Sequence, residues 1–331
     1  MVKKSNIEEQ IEEAVKVILK GGVVAFPTET VYGLGADAFN PQAVAKIFIA
    51  KERPTFDPLI VHISKIEQLE AVVKELDPRL LLLAEKFWPG PLTIVTLKNE
   101  KVPDIVTSAL PTVGVRMPSN PIALEFIERC NTPIAAPSAN RFGRVSPTLP
   151  SHVRKELPNV ATVIDGGGCE VGIESTVIAL NKDGFSILRE GAITKEELLK
   201  LLPLSKEESG KRPSSPGMLN SHYSPQKPLY IIEESTVEEI EKRIALLKRD
   251  GGRVAFISFT GIEPKGAERL LYLSKSGNLK EAALNLFKIL HLLEDDDRID
   301  FIVAERIFGG GISRAIMDRL KRASYRYTSK E

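Results

Sequence analysis

The chain has 331 residues, 43% of them hydrophobic, and at roughly 150 residues per domain that suggests about two globular domains. Forty-five Lys and Arg against 44 Asp and Glu leave a formal charge of +1, which excludes a chain coated in basic charge while allowing a local basic groove. Aromatic content of only 6% argues against a stacking platform for single-stranded nucleic acid, and two cysteines (Cys130 and Cys169) cannot build a disulfide framework or a four-thiolate zinc site.

Acidic residues break every apolar stretch near the amino terminus, and no run is long enough to span a membrane, so the expectation is a soluble, cytoplasmic protein. Ser5 and Glu8 read as a capping box, and Ile7, Ile11, Val15 and Ile18 form one stripe, predicting a helix that stops at Gly21-Gly22. VVAFP (23–27) reads as a short buried strand, followed by the turn-rich segment TETVYGLGAD. PQAVAKIFIAKERP opens on proline and stops before Pro54, predicting a helix that ends near Lys51 and Arg53. Strand-like runs follow at 59–63, 92–97, 112–117, 133–138, 161–165, 175–180 and 185–190, with helical patterns at 78–87, 121–129 and 194–202. Strands that outnumber helices without strict alternation predict a mixed α/β sheet.

From Pro203 to Pro228 the chain is rich in Pro, Ser, Gly and charge with no apolar period, which marks a tether or a functional loop. Beyond it, strand LYII, helix 236–250, strand RVAFISF, helices 264–270 and 278–293, strand DFIVAE and helix 312–322 predict a small three-layer α/β domain. The expected division is 1–204, a linker at 205–228, and 229–331.

No P-loop, dinucleotide turn, zinc-protease helix or nucleophile elbow occurs, and His62, His152, His222 and His291 are far apart. Four dense segments carry the chemistry instead: FPTETVYGLG, KERPTFDPLIVHI, TVGVRMP and APSANRFGRVSPT, each at a predicted strand end. Ligands of α/β sheets usually sit at such ends. Lys51 and Arg53 read either as a solvated helix terminus or as a cationic anchor. Arg116 interrupts the apolar run of Val113, Val115 and Met117, so it is an ion-pair partner or an anion fork. Ser138, Asn140, Ser146 and Thr148 with Gly143 offer donors and close backbone approach, as a nucleotide loop or as an ordinary polar turn.

Taken in order, FPTETVYGLGADA, AKERPTFDPLIVHI, FWPGPLT, TVGVRMPSNP, PIAAPSANRFGRVSPT, VIDGGGCEVGIESTVI, ILREGAIT and SPGMLNSHYSP resemble the Sua5/YrdC/YwlC family of threonylcarbamoyl-AMP synthases, in its longer Sua5 form. The resemblance implies a YrdC-like twisted mixed sheet with flanking helices and a concave active site, followed by a Rossmann-like Sua5 domain. It implies a nucleotidyltransferase that joins L-threonine, bicarbonate and ATP, with Mg²⁺ accompanying ATP, for N6-threonylcarbamoyladenosine in tRNA. The product would pass to a tRNA threonylcarbamoyltransferase of the TsaD type. Such a reaction needs no enzyme nucleophile, only aligned ligands and neutralised phosphate charge, which agrees with the motifs present.

By the same resemblance, Lys51, Arg53 and Thr55 serve the ATP phosphates and Arg116 forks the threonine carboxylate. Thr28 or Thr30, His62 and Thr176 recognise the threonine amine and hydroxyl. Thr112, Ser138, Asn140 and Ser146 hold nucleotide and bicarbonate, with the Ala136 backbone close by and Arg189 against phosphates or ribose. His62 has a rival role as a satisfied core histidine, since it lies in an apolar strand. Tyr223 and His222, flanked by Pro216 and Pro225, belong to a linker that in the Sua5 form folds over the active-site mouth with the tyrosine reaching toward the nucleotide; the rival is a mere tether. A non-catalytic module holding nucleotide or weakly binding RNA is the alternative function, separated by salt-dependent RNA binding without ATP turnover.

Overall fold

Helix-stop signals and strand alternation set the element order, and the computed structural model describes residues 4–206, 223–233, 236–249 and 251–328. The Ser5 side chain, expected to cap the first helix, lies outside the described side chains. Contacts divide the chain into two units. The first comprises Met1–Phe142, Pro147–Glu170 and Glu174–Met218; the second comprises Gly143–Ser146, Val171–Ile173 and Leu219–Glu331.

In the first unit the elements are α1 (Lys4–Leu19), β1 (Val24–Phe26), β2 (Gly33–Asp37), α2 (Pro41–Lys51), β3 (Ile60–His62), α3 (Leu69–Val72), α4 (Pro78–Phe87) and β4 (Leu92–Leu97). They continue with α5 (Asp104–Thr107), β5 (Thr112–Arg116), α6 (Pro121–Cys130), β6 (Ile134–Ala136), α7 (Pro150–Glu156), β7 (Thr176–Asn181), β8 (Gly184–Arg189) and α8 (Lys195–Leu198). The eight strands form one sheet in the order β1-β2-β6-β3-β5-β4-β7-β8. β3 runs parallel to β5 and β4 parallel to β7, while the other neighbours are antiparallel, so the sheet is mixed as expected.

Alternation splits the strand residues between two faces. On one face Leu34, Ala36, Val61, Ile94, Val113 and Val115 are buried with Val44 and Ile47 of α2 and Leu80 and Leu83 of α4. On the other, Val24, Phe26, Ile134 and Ala136 are buried with Ile11 and Ile18 of α1 and Phe126 and Ile127 of α6. That second cluster covers β1 and β6, and the candidate site lies farther along the same face.

The second unit holds β9 (Leu229–Ile232), α9 (Val237–Lys248), β10 (Val254–Ser258), β11 (Arg269–Tyr272), α10 (Leu279–Glu294), β12 (Phe301–Glu305) and α11 (Ile312–Thr328). Its sheet is wholly parallel in the order β11-β10-β12-β9, the three-layer arrangement its alternating pattern predicts.

Three local expectations fail for identifiable reasons. The helix expected at 264–270 is absent: Gly266 takes φ +91° in a turn, and Arg269–Tyr272 instead pairs in parallel with β10. The strand expected at 161–165 reduces to a single bridge between Val163 and Ala25. The turn-rich TETVYGLGAD contains β2, because Gly33 and Gly35 lie where neighbouring side chains approach the backbone. A Cβ at Gly35 would sit 2.6 Å from Ile134 Cγ2 and 2.8 Å from Phe26 Cε1. Gly35→Ala therefore overpacks this cluster, and we expect the urea midpoint to report a loss of about 1–3 kcal/mol with no change in slope.

Candidate active site

His62 and Arg116 end the parallel central strands β3 and β5 and are register partners, so both side chains emerge at the same end of the strands and on one face. Ile60, Gly114 and Thr112 lie on that face, as do Thr93 and Val95 of β4 and Val177 of β7 by their registers. Pro58, Ile60, Thr93, Thr112, Gly114 and Val177 line a shallow cleft open to solvent. Thr112 stands at the far end of β5 from Arg116, four residues or about 13 Å along the strand. It is thus a wall of the cleft and not a neighbour of the Arg116 cluster.

Arg116 is only 3% exposed. Its Nε donates to the Gly90 carbonyl at 3.3 Å, its Nη1 donates to Thr30 Oγ1 at 3.0 Å, and its Nη2 lies 2.5 Å from Glu29 Oε1. Thr28 Oγ1 donates to the Val31 carbonyl at 2.6 Å and accepts from the backbone N–H groups of Thr30 and Val31, each at 3.2 Å. Because the Thr28 proton is directed to Val31, the 2.8 Å contact between the two hydroxyls has Thr30 donating to Thr28. A chain of hydrogen bonds thus runs from Arg116 through both threonines into the turn that carries Glu29.

Lys51 is the last residue of α2, a helix capped by Asn40 at its start and by Glu52 in the left-handed region at its end. That termination turns Lys51 inward, where it is 1% exposed, so the solvated-terminus reading does not hold. Its ammonium donates to the carbonyls of Ser138, at 2.6 Å, and of Asn140. The segment from Ser138 to Phe142 is tied to the helix end a further time, since the Phe142 N–H donates to the Lys51 carbonyl at 2.9 Å. Arg53 braces the next loop: it donates to the carbonyls of Asp57 and Pro58 and pairs with the Asp57 carboxylate at 2.9 Å. Thr55 is exposed on that loop.

Arg189 pairs in register with Val177 and donates to both the carbonyl and the hydroxyl of Ser175, each at 3.1 Å. Ser175 Oγ lies 2.8 Å from Thr93 Oγ1, so this cluster floors the cleft beside Arg116. Thr176 is not brought to it. Its hydroxyl donates to the Ile193 carbonyl at 2.6 Å, because strand alternation sends its side chain away from that of Val177. Ala136 pairs with Ile60 and packs in the cluster under α1 and α6. Ser146 and Tyr223 belong to the second unit. There the Ser146 carbonyl lies 3.1 Å from His291 Nε2, and the Tyr223 ring packs 5.5 Å from that of Phe287. His222 and the linker residues before it lie outside the described residues.

Burial sets the electrostatics. Desolvation first, and the nearby Arg53 charge second, push the Lys51 ammonium well below its ordinary value. Burial pushes the Asp57 carboxyl up, against the pull of Arg53. Burial and then the Arg116 charge push His62 down to about 3, so at neutral pH it is an uncharged imidazole, edge-on to Phe26 at 5.9 Å.

The comparisons with known proteins bear on this arrangement. Residues 16–191 match the Sua5/YciO/YrdC family model, described as telomere recombination, and residues 193–324 match the C-terminal domain of threonylcarbamoyl-AMP synthase. The threonylcarbamoyl-AMP synthase of Pyrococcus abyssi is 42% identical, with 96% of each chain covered. That of Bacillus subtilis is 40% identical, covering 97% of this chain and 94% of its own. This chain belongs to the Sua5 family of threonylcarbamoyl-AMP synthases.

For a Sua5-family enzyme the overall geometry is also matched in three dimensions. The crystal structure of P. abyssi Sua5 complexed with L-threonine superposes with a TM-score of 0.88 at 40% identity, covering 96% of this chain and 95% of that one. No helix among the described residues is long and apolar enough to cross a membrane. Sequence reasoning passed over Glu29, Asp57, Thr93 and Ser175. The i, i+4 spacing of Arg53 and Asp57 was a readable signal, whereas the Glu29–Arg116 and Ser175–Thr93 contacts join residues more than 80 positions apart.

The lowered His62 value fixes a sign. Below about 6.5 the unfolded chain takes up a proton that the folded chain refuses until about 3, so stability is retained above that window and lost as pH falls through it. Urea midpoints measured from pH 7 to 4 should fall for the wild type, and His62→Gln should flatten that part of the slope.

Proposed function

We propose that this Sua5-family enzyme is a nucleotidyltransferase that converts L-threonine, bicarbonate and ATP into threonylcarbamoyl-AMP, pyrophosphate and water. The observation that carries this reading is the buried Arg116 cluster at the ends of β3 and β5, on a chain matched over nearly its whole length by a Sua5 complexed with L-threonine. A guanidinium has five N–H donors; those of Nε and Nη1 reach Gly90 and Thr30, and Nη2 lies against Glu29 without hydrogen-bonding it, so N–H groups remain for the substrate carboxylate.

In its neutral form the threonine amine attacks the bicarbonate carbon. The C–N bond forms, and hydroxide leaves with the amine proton as water. A carbamate oxygen then attacks the α-phosphorus of ATP, and the bond to pyrophosphate breaks. No side chain is modified, so catalysis rests on alignment and on charge. Lys51, with one ammonium N–H beyond its two carbonyl partners, and Arg53 face the phosphates; Arg189 and Ser175 lie on the floor beneath them. Asn140 and Ser138 frame the Lys51 side. Neutral His62 offers a ring nitrogen to the substrate hydroxyl without adding charge beside Arg116.

Magnesium enters as part of the ATP substrate. Two buried carboxylates of the site, Glu29 and Asp57, are already paired with arginines, and phosphate oxygens are the ligands this reading gives it. Residues 1–204 form the catalytic domain in this reading and 229–331 an accessory one. The product, a labile mixed anhydride, is consumed by a TsaD-type tRNA threonylcarbamoyltransferase in the cytoplasm.

Pyrophosphate release that depends on both threonine and bicarbonate tests the proposal. Lys51→Ala and Arg116→Ala should each lower it by at least about 100-fold. Arg116→Lys keeps a charge but loses the fork, so it should lower kcat/KM for threonine by about 10- to 100-fold. Full activity in both alanine variants would overturn the site.

A further inference from the structure

We infer that Glu29 recognises the α-ammonium group of the amino-acid substrate, an assignment that rests on the proposed threonine site and specifies its second charge. Glu29 is 2% exposed, and Oε1 pairs with Arg116. Both carboxylate oxygens are buried with no hydrogen-bond partner among the described residues, and only Oε1 has the ion contact. Neutralising Arg116 explains one oxygen and leaves the other unaccounted for. A buried carboxylate oxygen without a donor is costly, and natural sites keep such atoms where a ligand supplies the donor.

The two neighbouring hydroxyls do not supply it. The Thr28 hydroxyl proton is directed to Val31 and the Thr30 proton to Thr28, so both hydroxyls next to Glu29 are committed. The turn they form pins the backbone on either side of Glu29, which limits how far its carboxylate can swing to find another partner. The donor that fits is cationic and belongs to the substrate. In an α-amino acid the carboxylate and the ammonium are separated by a single carbon, and Arg116 and Glu29 present the opposite charges 2.5 Å apart. A neutral dyad binding a neutral zwitterion adds no net charge to a buried site, which avoids the large penalty of burying an unpaired ion.

Calorimetric titration of the full chain with L-threonine, and with the analogue carrying a hydroxyl in place of the amino group, tests this. The wild type should bind the analogue about 10- to 100-fold more weakly than threonine. Glu29→Gln should lose a similar factor for threonine while the analogue changes by less than about 3-fold, so that the preference collapses. ATP affinity, read in the same instrument, should be unchanged and reports folding. If Glu29→Gln weakens both ligands equally, Glu29 merely orients Arg116 and the inference fails; it fails too if the wild type does not discriminate. Should Glu29→Gln not fold, Glu29→Asp, which keeps the charge but shortens the reach, must lower the preference several-fold. Discrimination without threonine-dependent pyrophosphate release would sink the proposed reaction and leave Glu29 standing, and turnover without discrimination would do the reverse.

Discussion

Burying a guanidinium at the end of a β-strand requires a counter-charge, and the architecture of the candidate site follows from how Arg116 meets that requirement. Its partner Glu29 comes from the turn between β1 and β2, more than 80 residues earlier. The two meet because β5 and β3 are parallel neighbours, with β6 and β2 completing the path across the sheet to that turn. A substitution that slid any of these registers by one residue would send Arg116 to the opposite face, into the apolar layer under α2 and α4. The ion pair and the sheet order therefore constrain each other.

Lys51 solves the same problem differently. Among the described residues no carboxylate meets its ammonium; two carbonyls of the Ser138–Asn140 segment do, and partial charges hold the cation without cancelling it. Burial and then the Arg53 charge lower its basicity, and the ammonium is left positioned for the phosphates of the proposed substrate. Arg53 stands between these cases, paired with Asp57 yet lying beside the ring of Phe142, 5.8 Å from its centroid. The three cations thus form a series from carboxylate-paired to carbonyl-held, which suits the carboxylate and phosphates of the proposed reaction.

Much of this was legible before the structure. Periodicity and stop signals located α1, α2, α4 and α6 and most strands, because each buries one stripe or one face. Arg116 announced itself by breaking an apolar strand. Elsewhere local signals misled. Gly33 and Gly35 read as turn formers, but they lie in β2 for lack of room beside Phe26 and Ile134. Residues 264–270 read as a helix, but Arg269–Tyr272 is an edge strand added to β10. Thr176 read as a threonine contact, but strand alternation turns its hydroxyl to the Ile193 carbonyl, and it is Ser175 that meets Thr93.

What the amino-acid sequence determined by itself was local: which segments bury a face, where helices stop, and which residues carry charge or hydroxyls at strand ends. These follow from side-chain period, capping and proline geometry, all of which act over a few residues. Which carboxylate answers which cation was decided only in three dimensions. Glu29 and Asp57 are ordinary acidic residues along the chain, and only non-local strand pairing turns Glu29 into the buried partner of Arg116. Coulomb energy depends on separation in space, and sequence distance carries no information about it until the sheet is assembled.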